Sequence, residues 1–288
     1  MSDQLKGLLI TTLGVLFIVP DSLFIRLIDA PALTIIFWRG IGSSTAITLW
    51  LLLTYGTQPF KDLRKAGASA LVYSICLGLA GILFVLAITL TDVANVVFII
   101  ASIPIFAAIL SRIFLGETIS PRVRMTIIAV LAGVFLIAGG SLSAGPEDLL
   151  GIGVALLVSI IFAGGVVSIR VARPVSLVAA APIGALGASL LVLPFTDPLS
   201  ADPAQWHLYA MHGGLFIAAS TVLITIGARY ISAPEVSLLI LLESILAPIL
   251  VWAFIGETIS TTTFIGGAIV LTALFVSNFV ALRRRAPA

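Results

Sequence analysis

The sequence predicts an all-α membrane protein of ten transmembrane helices, arranged as two inverted five-helix repeats. Composition, the spacing of apolar stretches and a polar pentapeptide that occurs twice predict it. Residues A, V, I, L, M, F, W, Y and C make up 60% of the 288 positions, 25 more are glycine, and charged residues are 10%. An ordinary soluble domain carries about 25% charged residues, so too little polar surface is present to coat a water-facing particle. High hydrophobicity excludes a disordered chain, and the single Cys76 excludes a disulfide scaffold. A scattered net charge of +2 excludes nucleic acid as a partner, because phosphate binding needs clustered Lys and Arg.

A bilayer core of about 30 Å takes about 20 apolar helical residues. Stretches free of Asp, Glu, Lys and Arg run over 40–60, 66–91, 93–111, 125–146, 149–169, 174–196, 203–228 and 258–282. Two further spans hold a charge, 5–27 with Asp21 and 235–255 with Glu243, and the second span must reach back through Arg39 to residue 32. The first span lacks the basic start and small-residue cleavage site of a signal peptide, so it is expected to stay in the mature chain. Ten helices leave about 7 residues for each loop, which excludes an extramembrane domain.

Basic loops stay cytoplasmic. With the N-terminus inside, every Lys and Arg except Arg26 and Arg39 falls on the inner side, while the outer loops carry Asp92, Glu147, Asp148, Asp197 and Asp202. Both termini are therefore expected in the cytoplasm. Trp206, Tyr209 and Trp252 near the outer boundary and Trp50, Tyr55, Tyr73 and Tyr230 near the inner one read as interfacial belts.

The pentapeptide Gly-Glu-Thr-Ile-Ser occurs at 116–120 and again at 256–260. Identity continues upstream, pairing Ile105 with Ile245, Ala107 with Ala247 and Phe114 with Phe254. Each copy closes the fourth helix of a five-helix half, 1–145 and 146–288, and an odd number of crossings turns the second half over. Inverted halves can exchange conformations and open a central site to each side in turn, as secondary transporters do. Duplicated bundles also serve as channels or scaffolds.

These repeats resemble the drug/metabolite transporter superfamily, EamA type. The likeness rests on Asn95, Pro104, Gly116-Glu117 and Gly133 in the first half, Glu243 and Gly256-Glu257 in the second, and Phe37-Trp38-Arg39-Gly40 in helix 2. Within that superfamily the chain most resembles bacterial aromatic amino-acid exporters of the YddG type. The resemblance implies export of small amphipathic metabolites, amino acids including aromatic ones, across a bacterial inner membrane by alternating access. Ser244 departs from the pattern, since many relatives carry proline after this glutamate.

Charges inside a bilayer are costly and mark function. Asp21 and Arg39 lie about 10 Å deep on adjacent helices and are expected to pair. Glu243 lies near the midplane of helix 9, where a carboxylate suits an ammonium group or a proton. Pro20, Pro104 and Pro248 interrupt backbone bonding and are expected hinges. Asn95, Phe98 and Ser102 recur near one helical turn and offer an amide, a ring and a hydroxyl to a solute. Phe84, Phe162 and Thr221, chosen by depth and by the family's cavity helices, complete the expected lining.

Gly116 and Gly256 sit where helix C-caps belong, and Ser120-Pro121 reads as an N-cap and first-turn proline. The small residues Ala180, Gly184 and Ala188 read as a tight packing stripe, with a dimer face as the minority reading, so a monomer is expected. His207 and His212 have no carboxylate or cysteine at ligand spacing, and no metal or cofactor is expected. The alternatives are a cationic-drug exporter, a nucleotide-type antiporter, a passive channel and a membrane-embedded transferase. The last has no nucleophile and base placed for chemistry.

Overall fold

The computed structural model describes residues 3–141, 145–172, 175–228, 230–231 and 233–283, with the side chains of 141, 170, 233 and 234 excepted. The basic residues Arg173, Arg229, Arg284 and Arg285, and the side chain of Arg170, lie outside it. Every regular element among the described residues is helical. Nine stretches are long and apolar enough to cross a bilayer: Asp3–Leu27, Ala32–Tyr55, Ala68–Leu90, Val93–Leu115, Pro121–Gly140, Pro146–Ile169, Pro203–Gly227, Glu235–Ile255 and Thr261–Arg283. A tenth apolar stretch, Ala180–Phe195, is shorter.

Several elements depart from one helix per span. The first span breaks at Val19-Pro20 into α1 (Asp3–Ile18) and α2 (Asp21–Leu27), because proline removes a donor and crowds the preceding turn. Next, α3 (Ala32–Tyr55) ends at Gly56, whose φ of 61° suits a residue without Cβ. The basic segment after it, expected as a loop, folds into α4 (Gln58–Ala66), where Lys65 pairs with Asp62 at 2.6 Å. After α5 (Ala68–Leu90), the fourth span breaks at Ala101-Ser102 into α6 (Val93–Ile100) and α7 (Ile103–Leu115), two residues before Pro104.

The first repeat closes with α8 (Pro121–Ser141), and α9 (Pro146–Val171) starts the second. Then α10 (Ala180–Val192) runs into a 3-10 turn, Leu193–Phe195. The eighth span comprises α11 (Trp206–Tyr209), a π-helical segment Ala210–Ile217 and α12 (Ala218–Gly227). The ninth, α13 (Ala233–Ile255), continues unbroken through Pro248, and α14 (Thr261–Arg283) ends the described chain. Gly116 (φ 68°) and Gly256 (φ 78°) cap α7 and α13 as the motif predicts.

Packing repeats across the two halves. Helices in equivalent positions meet each other: α3 meets α10, α6 meets α13, and α8 meets α14. The pairing of α5 with α9 is matched by that of α12 with α1, and α10 against α5 by α3 against the π segment. Such exchange is what two like units related by a twofold axis give. Close approach depends on glycine: a Cβ on Gly133 would lie 2.7 Å from the Gly266 carbonyl oxygen, and one on Gly266 would lie 2.6 Å from that of Gly133. The stripe on α10 also packs inward, because Gly184 faces the Ser74 backbone of α5 and the Ser74 hydroxyl donates to the Ala180 carbonyl.

Candidate functional site: a charged cluster in the bundle interior

The break at Pro20 starts α2 at Asp21, which the packing buries to 2% exposure. Arg39, on the second turn of α3, donates from Nε to Asp21 Oδ1 at 3.1 Å and from Nη2 to Oδ2 at 2.7 Å. This two-point geometry is the strong form of a guanidinium–carboxylate pair. Phe84 on α5 lies with its ring centroid 5.9 Å from the guanidinium carbon. The expected meeting of Asp21 with Arg39 is thus accompanied by one of the expected lining rings.

His212 joins them, contrary to its reading as a bland outer-loop residue without a carboxylate neighbour. Its side chain is fully buried, and Nε2 lies 2.6 Å from Asp21 Oδ1. Its ring stacks on Phe24 at 5.5 Å with planes 13° apart. The π-helical turn sets this up. A Cβ on Gly213 would lie 2.5 Å from the Arg39 carbonyl oxygen, so the segment can press against α3 only with glycine there, and His212 is carried onto Asp21. Local π-helix often marks a functional site. Neither the 191-residue separation nor any spacing motif announces this contact.

Glu243 sits halfway along α13, half-buried and within electrostatic reach of Asp21 and Arg39. Among the described residues it has no hydrogen-bond partner and no ion pair. The next residue, Ser244, is buried and donates to the Val97 carbonyl at 3.3 Å, tying α13 to α6 just before the Ala101 break. The serine that departs from the family pattern thus bonds across the two halves.

The remaining expected lining residues are placed differently. Asn95 is buried, donating to Thr91 Oγ1 at 2.9 Å and accepting from Thr263 Oγ1 at 2.6 Å. Ser102 is also buried and donates to the Ile99 carbonyl at the helix break, which Ser159 of α9 reaches too. Phe98 fills the space left by Gly267, where a Cβ would lie 2.3 Å from the ring. In this arrangement these three face packing partners rather than an opening. Phe162 is 37% exposed, while the neighbouring Ala163 is fully buried. Thr221 is half-buried and donates to the Ile217 carbonyl. Of the expected hinges, Pro20 and Pro104 adjoin helix breaks, whereas Pro248 lies inside unbroken α13.

The two ends of the bundle differ. At the end away from the N-terminus, Glu257 of the second pentapeptide accepts from the Val93 backbone N–H at 2.6 Å and pairs with Arg26 Nε at 3.1 Å. Arg26 Nη2 also donates to the Thr91 carbonyl at 3.0 Å, and the Thr91 hydroxyl donates to Asp148. A carboxylate at the start of α6 is favoured by the unsatisfied N–H groups there. Asp92 lies beside this network, and burial first, then Glu257 and Asp148, push its carboxyl above the usual range against the pull of Arg26.

Residues 95–99 of α6 are all buried, whereas 235–239, their counterparts 140 positions on, are all partly exposed. The start of α6 at the far end is therefore packed more tightly than the start of α13 at the N-terminal end. There Gln4 bonds Glu235 at 2.7 Å in an exposed setting.

Apolar helices that pair across two repeated halves around a buried charged cluster make a multi-span membrane protein. A sequence model of the EamA-like transporter family matches residues 5–139 and again 148–279. The chain belongs to that family. Its fold is shared by a solved crystal structure titled only as that of a protein, with a TM-score of 0.68 over 98% of this chain and 99% of that one, at 16% identity. No curated protein matches the sequence.

Proposed function

We propose that this protein is a secondary transporter exporting small amphipathic metabolites that carry an ammonium group, amino acids including aromatic ones, across a bacterial inner membrane. The two repeats, 1–145 and 146–288, form ten spans with both termini cytoplasmic. They rock about a central site whose more tightly packed far end faces outward. The observation that carries this reading is Glu243, an interior carboxylate with no bonding partner beside an ion pair that is already satisfied. A carboxylate so placed offers an ammonium group an opposite charge in surroundings that strengthen the attraction.

Phe84 and Thr221 supply an aromatic face and a hydroxyl near the same depth. Asn95, Phe98 and Ser102 join the passage once the outer end opens, and Phe162 lies at its margin. Pro20 and Pro104, at the helix breaks, serve as hinges, and Pro248 allows α13 to bend. The protein works as a monomer, because the small-residue stripe on α10 is used in internal packing.

The test is uptake of radiolabelled phenylalanine, tryptophan, methionine and threonine into proteoliposomes preloaded with unlabelled substrate. Saturable uptake stimulated by counterflow, and lost in Glu243→Gln, is the expected result. No uptake into vesicles with verified insertion overturns the amino-acid assignment. Unsaturable flux without counterflow points instead to a channel.

A further inference from the structure

The basic helix between α3 and α5 lies outside the interior cluster, and its charges are unevenly used. Along α4, Phe60 and Leu63 fall one turn apart and pack onto Ile47 and Leu51, while Lys61, Arg64 and Lys65 are exposed. This division is that of a helix lying along a membrane surface. Asp62 is engaged by Lys65 at 2.6 Å and by the Gln58 amide at 3.0 Å. Lys61 and Arg64, also one turn apart, have no carboxylate partner among the described residues.

A groove of 320 Å³ opens beside these two cations, lined by Phe60, Leu63 and Arg64 of α4, Leu71 and Ser74 of α5 and Ile183 of α10. The short α10 leaves room for it. Ala180–Phe195 covers about 24 Å at about 1.5 Å per residue, against a bilayer core of about 30 Å, and residues 175–179 before it form no regular helix. Leu71 is 63% exposed and Ile183 48%, so the groove opens toward the lipid. Its one hydroxyl, Ser74, is already donated to the Ala180 carbonyl at 3.0 Å. Among the described lining residues Arg64 alone is charged.

We propose that this groove holds an anionic phospholipid, its phosphate on Arg64 and Lys61 and an acyl chain along Leu71 and Ile183. Bilayer chains are as apolar as these side chains, so the chain contact selects no particular lipid; the headgroup charge does. A guanidinium suits a phosphate because its planar donors match two oxygens at once. A zwitterionic headgroup brings its own cation and has less need of these two. Because α4, α5 and α10 all line the groove, one bound lipid ties the three helices together. With the termini inward, as proposed above, the lipid comes from the inner leaflet, but the site requires neither that orientation nor a transported solute.

The test titrates purified full-length protein in detergent with phosphatidylglycerol or phosphatidylcholine of equal chain length, reading bound lipid by native mass spectrometry and stability by thermal unfolding. Phosphatidylglycerol should bind at least tenfold more tightly and raise the melting temperature more. Arg64→Ala should weaken it about fivefold, and Lys61→Ala/Arg64→Ala about twenty-five-fold, whereas Arg124→Ala, at another exposed cation, should leave it unchanged. Ile183→Trp, which keeps both charges and fills the groove, should remove one bound lipid. All four positions are on the surface, and unfolding of the lipid-free variants verifies that they fold.

Equal binding of the two lipids, or equal weakening by Arg124→Ala, overturns the proposal in favour of general surface attraction. An unchanged lipid count in Ile183→Trp overturns the groove as the seat of the chain. Displacement of phosphatidylglycerol by an equal concentration of glycerol 3-phosphate, which has the phosphate without the chains, overturns the lipid in favour of a soluble anion. Each readout stands apart from transport, so failure of the amino-acid assignment leaves it intact.

Discussion

Replacing Arg39 by alanine tests whether the buried cluster holds the bundle together. The guanidinium contacts Asp21 at 2.7 Å, with the side chains 17% and 4% exposed. Its removal leaves a buried carboxylate with His212 as its remaining close partner. Breaking a buried pair from one side costs about 3–5 kcal/mol, a large share of a typical stability of about 5–15 kcal/mol. Removing both charges, in Asp21→Asn/Arg39→Ala, takes away the unpaired group and should recover part of the loss, giving a coupling energy of about 1–3 kcal/mol.

Denaturant titration in mild detergent reads this through tryptophan emission, since Trp38 adjoins Arg39 and its ring lies 6.1 Å from that of Trp206. A loss below about 1 kcal/mol for Arg39→Ala, or additive losses in the double variant, refutes the reasoning. From sequence alone, exchanging the two residues should restore function. The structure predicts that the exchange fails, because an arginine at 21 would face His212 where Asp21 now lies 2.6 Å from it.

Glu257→Gln weakens the far-end latch, losing the ion pair to Arg26 and the charge at the start of α6. A loss of about 1.4 kcal/mol would speed amide exchange over Val93–Val97 about tenfold, and unchanged exchange contradicts the latch. For Asp92 the folded carboxyl is raised by burial, Glu257 and Asp148, so stability falls as pH climbs through the carboxylate range and the penalty is complete above it. Asp92→Asn should therefore raise the melting temperature at pH 7, with the gain fading as pH falls below about 4; a gain largest in acid reverses the sign. Gly133→Ala places a Cβ 2.7 Å from the Gly266 carbonyl oxygen and should cost about 1–3 kcal/mol. Gly139→Ala, with nothing within 4 Å, should leave the melting temperature unchanged or higher.

Apolar run length placed most spans, and the repeated pentapeptide placed both glycine caps, because these features depend on composition and local geometry. Helix breaks were harder to read. Pro20 announces one, but the break at Ala101-Ser102 is stabilised by Ser159 on another helix, a contact no local pattern encodes. Depth arithmetic brought Asp21 to Arg39, since adjacent antiparallel helices share a depth scale. It could not bring in His212, whose position depends on the π-helical turn and on Gly213 meeting α3. Polarity on an apolar helix marks both binding and structural bonding, so the sequence could not show that Asn95 and Ser102 bond within the bundle in this arrangement. The bonds to Thr91, Thr263 and Ile99 are tertiary facts.

Alternating exposure of one central site is tested most directly by thiol labelling at repeat-equivalent positions. In a Cys76→Ala background, Ser237→Cys and Val97→Cys occupy counterpart sites on α13 and α6, the first partly exposed and the second buried. A membrane-impermeant maleimide applied from the cytoplasmic side should label Ser237→Cys readily, and applied from the outer side should leave Val97→Cys unmodified. An outward substrate gradient should raise outer labelling of Val97→Cys and lower inner labelling of Ser237→Cys together. Labelling of both positions from the same side, or rates that ignore substrate, would contradict a single site opened to each face in turn.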